Sequence, residues 1–404
     1  MRRILFVDDE RRILEGLQRM LRPCRRQWEM AFATSGSEAL AILEAGPFDV
    51  IVSDMRMPNM DGGHLLELVR QRHPGMIRIM LSGQCEIEAA MRAVPVAHQF
   101  LSKPCDPEKL RSVIENCFEC ASTITDFATR GVIASIGELP ALPRTYAALV
   151  AALDDPKPSA ERVSAIVECD LAVTAKLLQL VNSTFFGLAR EVTSIPIAVA
   201  YLGFDVLKQL VIAMKLFRSF PCERQVAALV EQINRHSRCA AAIAAFLPVA
   251  AQLAPAVSVA ALLHDIGKLV LAVRLPERFE RALQASIREH RPMYSIEEEM
   301  TGTTHADIGA YLLGLWGLPP AVIAAVSSHH RPVRETENEM DLRLAVHIAD
   351  LLAHEAEHRL LDPSIACENN IDIELRGWSE MLPIWRQSAA EIVYRKVESG
   401  QLAS

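Results

Sequence analysis

The hydrophobic period of the chain changes near residue 120, and that change limits the fold more than any other feature. Before it, short apolar runs at Ile4–Val7, Trp28–Ala33, Val50–Val52, Ile77–Leu81 and Gln99–Leu101 are separated by amphipathic segments of helical period. Strands alternating with helices predict a parallel sheet flanked by helices, an α/β unit. After about residue 136 the alternation stops. Ala/Leu-rich segments such as Ala160–Asn182, Val206–Phe217, Val226–Leu247 and Ala306–Leu315 predict an all-helical unit. Between the two, Ala121–Ser135 mixes Ser, Thr, Gly and small residues and reads as a linker. A polar stretch, Arg334–Met340, precedes a last helical region. The chain shows no internal repeat or low-complexity tract. Its 404 residues suit two or three domains of ~100–150 residues each.

Composition removes several classes of protein. Half the residues are apolar and 23% are charged, so disorder, collagen-like sequence and a small disulfide scaffold are excluded. The net charge of −8 argues against a strongly basic nucleic-acid surface, and no zinc-finger, homeodomain or basic recognition helix appears. Nine scattered cysteines read as reduced thiols, and the pair Cys117/Cys120 lacks a second pair to close a zinc site. Arg2-Arg3 is followed by too short an apolar run for a signal peptide. The uncharged stretch Cys239–Leu263 contains Pro248 and Pro255, which predict two soluble helices and a turn in place of a membrane span. A cytoplasmic protein is expected.

In an open α/β sheet, chemistry collects beyond the carboxyl ends of the strands. Four of the five expected strands end there in a group able to act: Asp8 and Asp9, Asp54, Ser82, and Lys103. Three carboxylates at one place repel unless a cation lies among them, and oxygen ligands suit Mg²⁺. Beside a lysine and a hydroxyl, such a carboxylate is a plausible phosphoryl acceptor. Singly, Asp8-Asp9-Glu10 also fits helix capping, and Lys103-Pro104 also fits a turn.

Over about residues 1–120 the chain resembles the receiver domain of two-component response regulators, through "ILFVDDE", "DVIVSDMRMPNMDG", "IMLSG" and "QFLSKP". The resemblance implies a flavodoxin-like, doubly wound sheet of order 2-1-3-4-5. It implies Asp54 as the phospho-accepting aspartate, with Mg²⁺ held by Asp8, Asp9, Asp54 and the backbone carbonyl of Arg56. Ser82 would be the hydroxyl switch, Phe100 the aromatic switch and Lys103 the phosphate-sensing lysine. The phosphoryl donor would be a histidine kinase or phosphotransfer protein, and receivers of this kind often form homodimers when activated.

In the helical half, His236, His264-Asp265, His305, His329-His330 and Asp350 stand out as imidazoles and carboxylates able to share one or two divalent cations. Two such cations activate water and clamp a phosphoester. Lys268, one turn after His264, is placed to meet a phosphate. Each histidine alone also fits a packed core. His347, His354 and His358 around Asp350 read as surface or packing positions, and His290 as solvated. Residues 136–335 resemble the HDOD domain, a helical relative of the HD and HD-GYP phosphohydrolases. The matching segments include "IGELPALP", "ALLHDIGKLVL", "HADIGAYLLGLWGLPPAVIAAVSSHH" and "VHIADLLA". The resemblance to the catalytic relatives implies metal roles (Fe, Mn or similar) for these histidines and aspartates and a phosphate contact for Lys268. The paired histidines lack the Gly-Tyr-Pro loop, and Gln232 stands one turn before His236 where a metal-binding Glu is expected. HDOD domains are generally regulatory. Two readings follow: a phosphorylation switch signalling to an output protein, and a phosphorylation-gated, metal-dependent phosphohydrolase of cyclic-di-GMP type. Residues 336–404 are expected to pack back on the helical unit, since they supply Asp350, with Trp378 and Trp385 docking the last segment.

Overall fold

The computed structural model describes residues 1–83, 93–124, 126–137, 139–183, 186, 188, 190–213, 224–332, 339–360, 378 and 380–398. Five strands, β1 (Arg2–Val7), β2 (Trp28–Ala33), β3 (Val50–Asp54), β4 (Ile77–Ser82) and β5 (Gln99–Ser102), form one parallel sheet of order β2-β1-β3-β4-β5. Every residue of β3 and β4 is buried. Burial on both faces is why β3 begins as an apolar run and β4 is apolar from Ile77 to Leu81 apart from Arg78, without the alternation of a half-exposed strand. Each of β3, β4 and β5 runs slightly past its apolar stretch, so Asp54, Ser82 and Ser102 end strands at one edge of the unit.

Local signals set the helix starts. Asp61 accepts from the His64 backbone N–H at 2.8 Å and opens the helix Gly62–Arg72, while Asp106 and Pro107 open Pro107–Ser122. The stretch expected as a linker is itself partly helical: Asp126 caps a helix Phe127–Ala134 whose Ile133 and Ala134 are fully buried.

The remainder is helical. The segment Ala160–Asn182 is two helices, Ala160–Val167 and Leu171–Val181. They divide at Asp170, whose carboxylate accepts from the N–H groups of Ala172 and Val173. A capping carboxylate inside an apolar run ends one helix and begins the next. The stretch Cys239–Leu263 is likewise the end of one helix, Arg224–Ala244, and the whole of another, Ala254–Leu263. The span Ala254–Arg274 is long and apolar enough to cross a membrane, yet it lies 83% buried and is interrupted at His264-Asp265. Leu342–Leu360 packs on Arg224–Ala244, and Leu382–Glu398 packs on both. The Trp378 and Trp385 rings lie 5.8 Å apart, with Trp385 buried against the core. Residues 333–338 and 361–377, within the expected polar stretch and extension, lie outside the described residues.

The two units meet through buried cations that bond to backbone carbonyls. From β4, Arg78 donates to Val96 O at 2.7 Å and to Ala134 O at 2.7 Å, the carboxyl end of the connecting helix. From Leu171–Val181, Lys176 Nζ donates to Val94 O at 3.1 Å and Gly137 O at 2.7 Å, and Gln179 Nε2 to His98 O at 2.8 Å. The segment between β4 and β5 is therefore held directly by the helical unit.

Candidate functional site

The acidic site lies at the carboxyl end of the sheet. β1 delivers Asp8, fully buried, followed by exposed Asp9, and β3 ends on Asp54. Oxygen atoms of the three carboxylates lie within 4.8 Å of one another. From the end of β5, Lys103 Nζ reaches Asp8 Oδ2 at 2.6 Å and Asp54 Oδ1 at 2.5 Å. Asp54 Oδ2 also accepts the Arg56 N–H at 3.1 Å, which turns the chain so that the Arg56 peptide borders the site. Burial pushes the Asp54 carboxyl up in pKa, with Lys103 and the Arg56 N–H opposing. Burial pulls the Lys103 ammonium down, but Asp54 and Asp8 outweigh it and leave its pKa raised. Ser82 ends β4 in the interior, bound through its carbonyl to the Lys103 N–H at 2.9 Å, and Phe100 is buried on β5. Gly62 allows the fit beneath: a Cβ there would lie 2.0 Å from Asp54 O. Asp8, Asp9, Asp54, Lys103 and the Arg56 peptide thus come together, with Ser82 joined to Lys103 through the backbone, whereas Phe100, buried on β5, borders a different cavity beside Gln99 and Lys109.

The second cluster is assembled by five helical segments. His236 comes from Arg224–Ala244, His264-Asp265 from the break after Ala254–Leu263, and His305 from the start of His305–Leu315. His329 and His330 follow Pro320–Ser328, and Asp350 comes from Leu342–Leu360. A Thr304/Asp307 capping box fixes the start at His305. Gly267 lets two helices cross there, since a Cβ on it would lie 1.8 Å from His305 O.

The imidazoles are oriented from behind. Nδ1–H donates to Ala261 O in His264 and to Val326 O in His329, both at 2.7 Å. Nδ1–H donates to Glu297 Oε2 in His305 at 2.7 Å and to Glu357 Oε2 in His236 at 2.8 Å. Each ring therefore turns its Nε2 inward, the arrangement that backs a metal-ligating histidine. His264 Nε2, His329 Nε2 and Asp265 Oδ1 are buried without a hydrogen-bond partner among the described residues. Orphaned buried acceptors converging on one point fit a cation, as does the donor set of imidazoles and carboxylates.

Asp265 Oδ1 lies 3.4 Å from His305 Nε2, and Asp265 Oδ2 2.8 Å from Lys268 Nζ. Asp350 Oδ1 faces three imidazoles: His236 Nε2 at 2.9 Å, His264 Nε2 at 3.4 Å and His354 Nε2 at 3.4 Å. Burial opposes charge on His264, but Asp265 and Asp350 outweigh it and raise its pKa to about 10; on His329 burial wins and holds the pKa well below its ordinary value. Without a cation, protons on some of these rings answer the buried carboxylates. A cavity of about 330 Å³ opens onto His236, Asp265, Lys268, His305 and His330, with apolar walls from residues such as Phe279, Leu283 and Met293.

All seven expected residues and Lys268 lie in this cluster. His354 belongs there too, against the expectation of a surface or packing position: its ring stacks on His236 with centroids 4.1 Å apart, and it lines the cavity. His354 is one turn after Asp350, so both point to the same side of one helix. His347, by contrast, is a packing residue whose Nδ1–H donates to His329 O at 2.6 Å, and His290 is exposed. Glu297 and Glu357, behind His305 and His236, have no sequence signal of their own.

Two family models match, the response regulator receiver domain over residues 4–115 and the HDOD domain over residues 139–332. An uncharacterised protein of Treponema pallidum is 26% identical over 244 residues, 60% of this chain and 47% of that protein. The hydrogenase transcriptional regulatory protein HoxA of Cupriavidus necator is 34% identical over 118 residues, 29% of this chain and 24% of that protein. The chain spans less than half the length of either relative. The crystal structure of the MmoQ response regulator from Methylococcus capsulatus superposes with a TM-score of 0.50 at 22% identity, covering 63% of this chain and 98% of that one, a likeness of fold. With both domains matched in this order, the chain is a response regulator in which a receiver domain precedes an HDOD domain.

Proposed function

We propose that this response regulator is controlled by phosphorylation of Asp54 and signals through a non-catalytic HDOD domain to a protein partner. The observation that carries the reading is the Lys103 ammonium bridging Asp8 at 2.6 Å and Asp54 at 2.5 Å, with Asp9 alongside. An Asp54 oxygen attacks the phosphorus of a phosphohistidine on a histidine kinase or phosphotransfer protein; the P–O bond forms as the P–N bond breaks, and the imidazole leaves. Mg²⁺ held by Asp8, Asp9, Asp54 and the Arg56 carbonyl would neutralise charge on the phosphoryl oxygens. Lys103 then exchanges a carboxylate for a phosphoryl oxygen, and Ser82 donates to another. Phosphorylation adds about −1.5 to −2 charges at this point, and β4 and β5 carry the adjustment, through Phe100 and the segment before β5, toward Lys176 and Gln179. Labelling with acetyl phosphate or a cognate kinase tests the reading: Asp54→Asn should lose the acid-labile label, and a variant that keeps it refutes the assignment.

The histidine cluster supports a metal-loaded HDOD domain, with Fe or Mn as suitable ions. Its cavity, lined in part by Lys268, favours a second reading as a phosphorylation-gated phosphohydrolase. Hydrolysis of bis-p-nitrophenyl phosphate or cyclic-di-GMP with added Mn²⁺ or Fe²⁺, abolished in Asp265→Ala, would establish that reading; metal bound without turnover would leave a structural centre.

A further inference from the structure

The cluster contains more donors than one cation can use, and they divide by position. At one end, donor atoms of His305, His329 and His330 lie within 4.8 Å of one another; at the other, those of His236, Asp350 and His354 do the same. Asp265 stands between, 3.4 Å from His305 Nε2 and 4.0 Å from His236 Nε2. The residue one turn before His236, Gln232, is exposed at the cavity rim and offers only a neutral amide.

The facing helix supplies a better donor. Leu342–Leu360 carries Asp350 and, one turn on, His354, so both side chains enter the cavity together. His354 Nε2 and His236 Nε2 approach the same oxygen, Asp350 Oδ1, at 3.4 Å and 2.9 Å. Glu357, a further turn along, receives the Nδ1–H of His236 at 2.8 Å and fixes that ring, so one helix provides two donors and the orienting carboxylate for the third. His354 Nδ1 is buried with no hydrogen-bond partner among the described residues.

We propose that His354 is a metal ligand, completing with His236 and Asp350 a second cation position of two imidazoles and one carboxylate that opens toward the cavity. This rests on the reading that the cluster holds metal. Nitrogen donors favour a borderline transition ion such as Fe²⁺, Co²⁺ or Zn²⁺ over Mg²⁺, and the side facing the cavity is left for water or an anionic ligand.

Full-length protein stripped with chelator and reloaded with Co²⁺, Mn²⁺ or Zn²⁺ provides the test, read by metal content per chain and by the visible absorption of bound Co²⁺. The unaltered chain should hold two ions; His354→Ala should hold one, with affinity for the lost ion weakened by at least about 10-fold. Should His354→Ala fail to fold by circular dichroism, His354→Gln takes its place. Two ions of unchanged affinity in the variant overturn the assignment of His354 while leaving the metal reading intact. One ion in both proteins also overturns it. No ion bound to the unaltered chain overturns the metal reading itself, and the proposal with it.

Discussion

Lys103 holds two carboxylates at once, so its removal tests what keeps the acidic site together. In Lys103→Ala, Asp8 and Asp54 remain buried beside each other with no cation between them. Breaking a buried pair this way costs ~3–5 kcal/mol, and partial exposure of the lysine reduces that to about 2 kcal/mol. The penalty belongs to the ionised carboxylates. Burial already raises the Asp54 pKa, so the deficit should be full at pH 7 and shrink as falling pH protonates Asp54. Urea unfolding of both proteins at pH 7 and pH 4.5, with and without Mg²⁺, checks this; a deficit unchanged at low pH would rule out charge as its cause. The acidic residues were legible in the sequence because each follows or closes an apolar strand run. His354 was not, because a histidine one turn from an aspartate fits a solvated helix face equally well, and only the fold decides which side of Leu342–Leu360 faces His236.

Crossing helices position the metal-type cluster, and the closest crossing passes through Gly267. A methyl group there would lie 1.8 Å from His305 O, a backbone atom that cannot rotate away. Gly267→Ala must therefore push apart the elements that carry Asp265 and His305. Overpacking of this kind costs ~1–3 kcal/mol. The variant should lose that much stability and bind Co²⁺ at least about 10-fold more weakly, whereas Gly302→Ala, beyond the site, should leave binding intact. Equal metal binding in Gly267→Ala would show that the crossing does not set the ligand geometry. Asp170 makes a second case at this scale. It is fully buried, and burial, against the N–H groups of Leu142, Val173 and Ala172, raises its pKa to about 6. The folded value lies above the unfolded ~3.9, so its stabilising contribution is complete below pH 4 and is lost as pH rises through 6, a swing of about 3 kcal/mol. The stability of Asp170→Asn relative to the parent should therefore improve between pH 4 and pH 7; a constant difference would show that Asp170 does not titrate in this range. Periodicity revealed the helices but not this break, because Leu, Ala and Val continue the apolar pattern on both sides of the cap.

For the molecule as a whole, the decisive feature is the set of buried polar contacts that joins the receiver domain to the helical unit. Arg78 and Lys176 interrupt otherwise apolar segments, a sequence signal of a buried polar contact whose partners no pattern names, since they are backbone carbonyls. Between them sits His98. Its Nδ1 accepts the Arg78 backbone N–H at 3.0 Å, so the proton must reside on Nε2, which donates to Ala134 O at 2.8 Å. A proton added at Nδ1 would remove the first bond and place a second positive charge beside the Arg78 guanidinium. Burial first, and Arg78 next, accordingly hold the His98 pKa well below its ordinary value. With the folded value depressed, the stabilisation is complete above the unfolded ~6.5 and is lost as pH falls below it. Lowering the pH from 7.5 to 5.5 should thus loosen the joint, seen as faster hydrogen exchange, corrected for intrinsic rates, in residues 93–99 and 171–181. In His98→Asn an amide oxygen can take the place of Nδ1 without titrating, so the pH response of these two segments should disappear. Persistence of the response in that variant would move the sensitivity to another group. Its loss would identify His98 as the group that makes this joint pH-sensitive, in the segment that Lys176 and Gln179 hold.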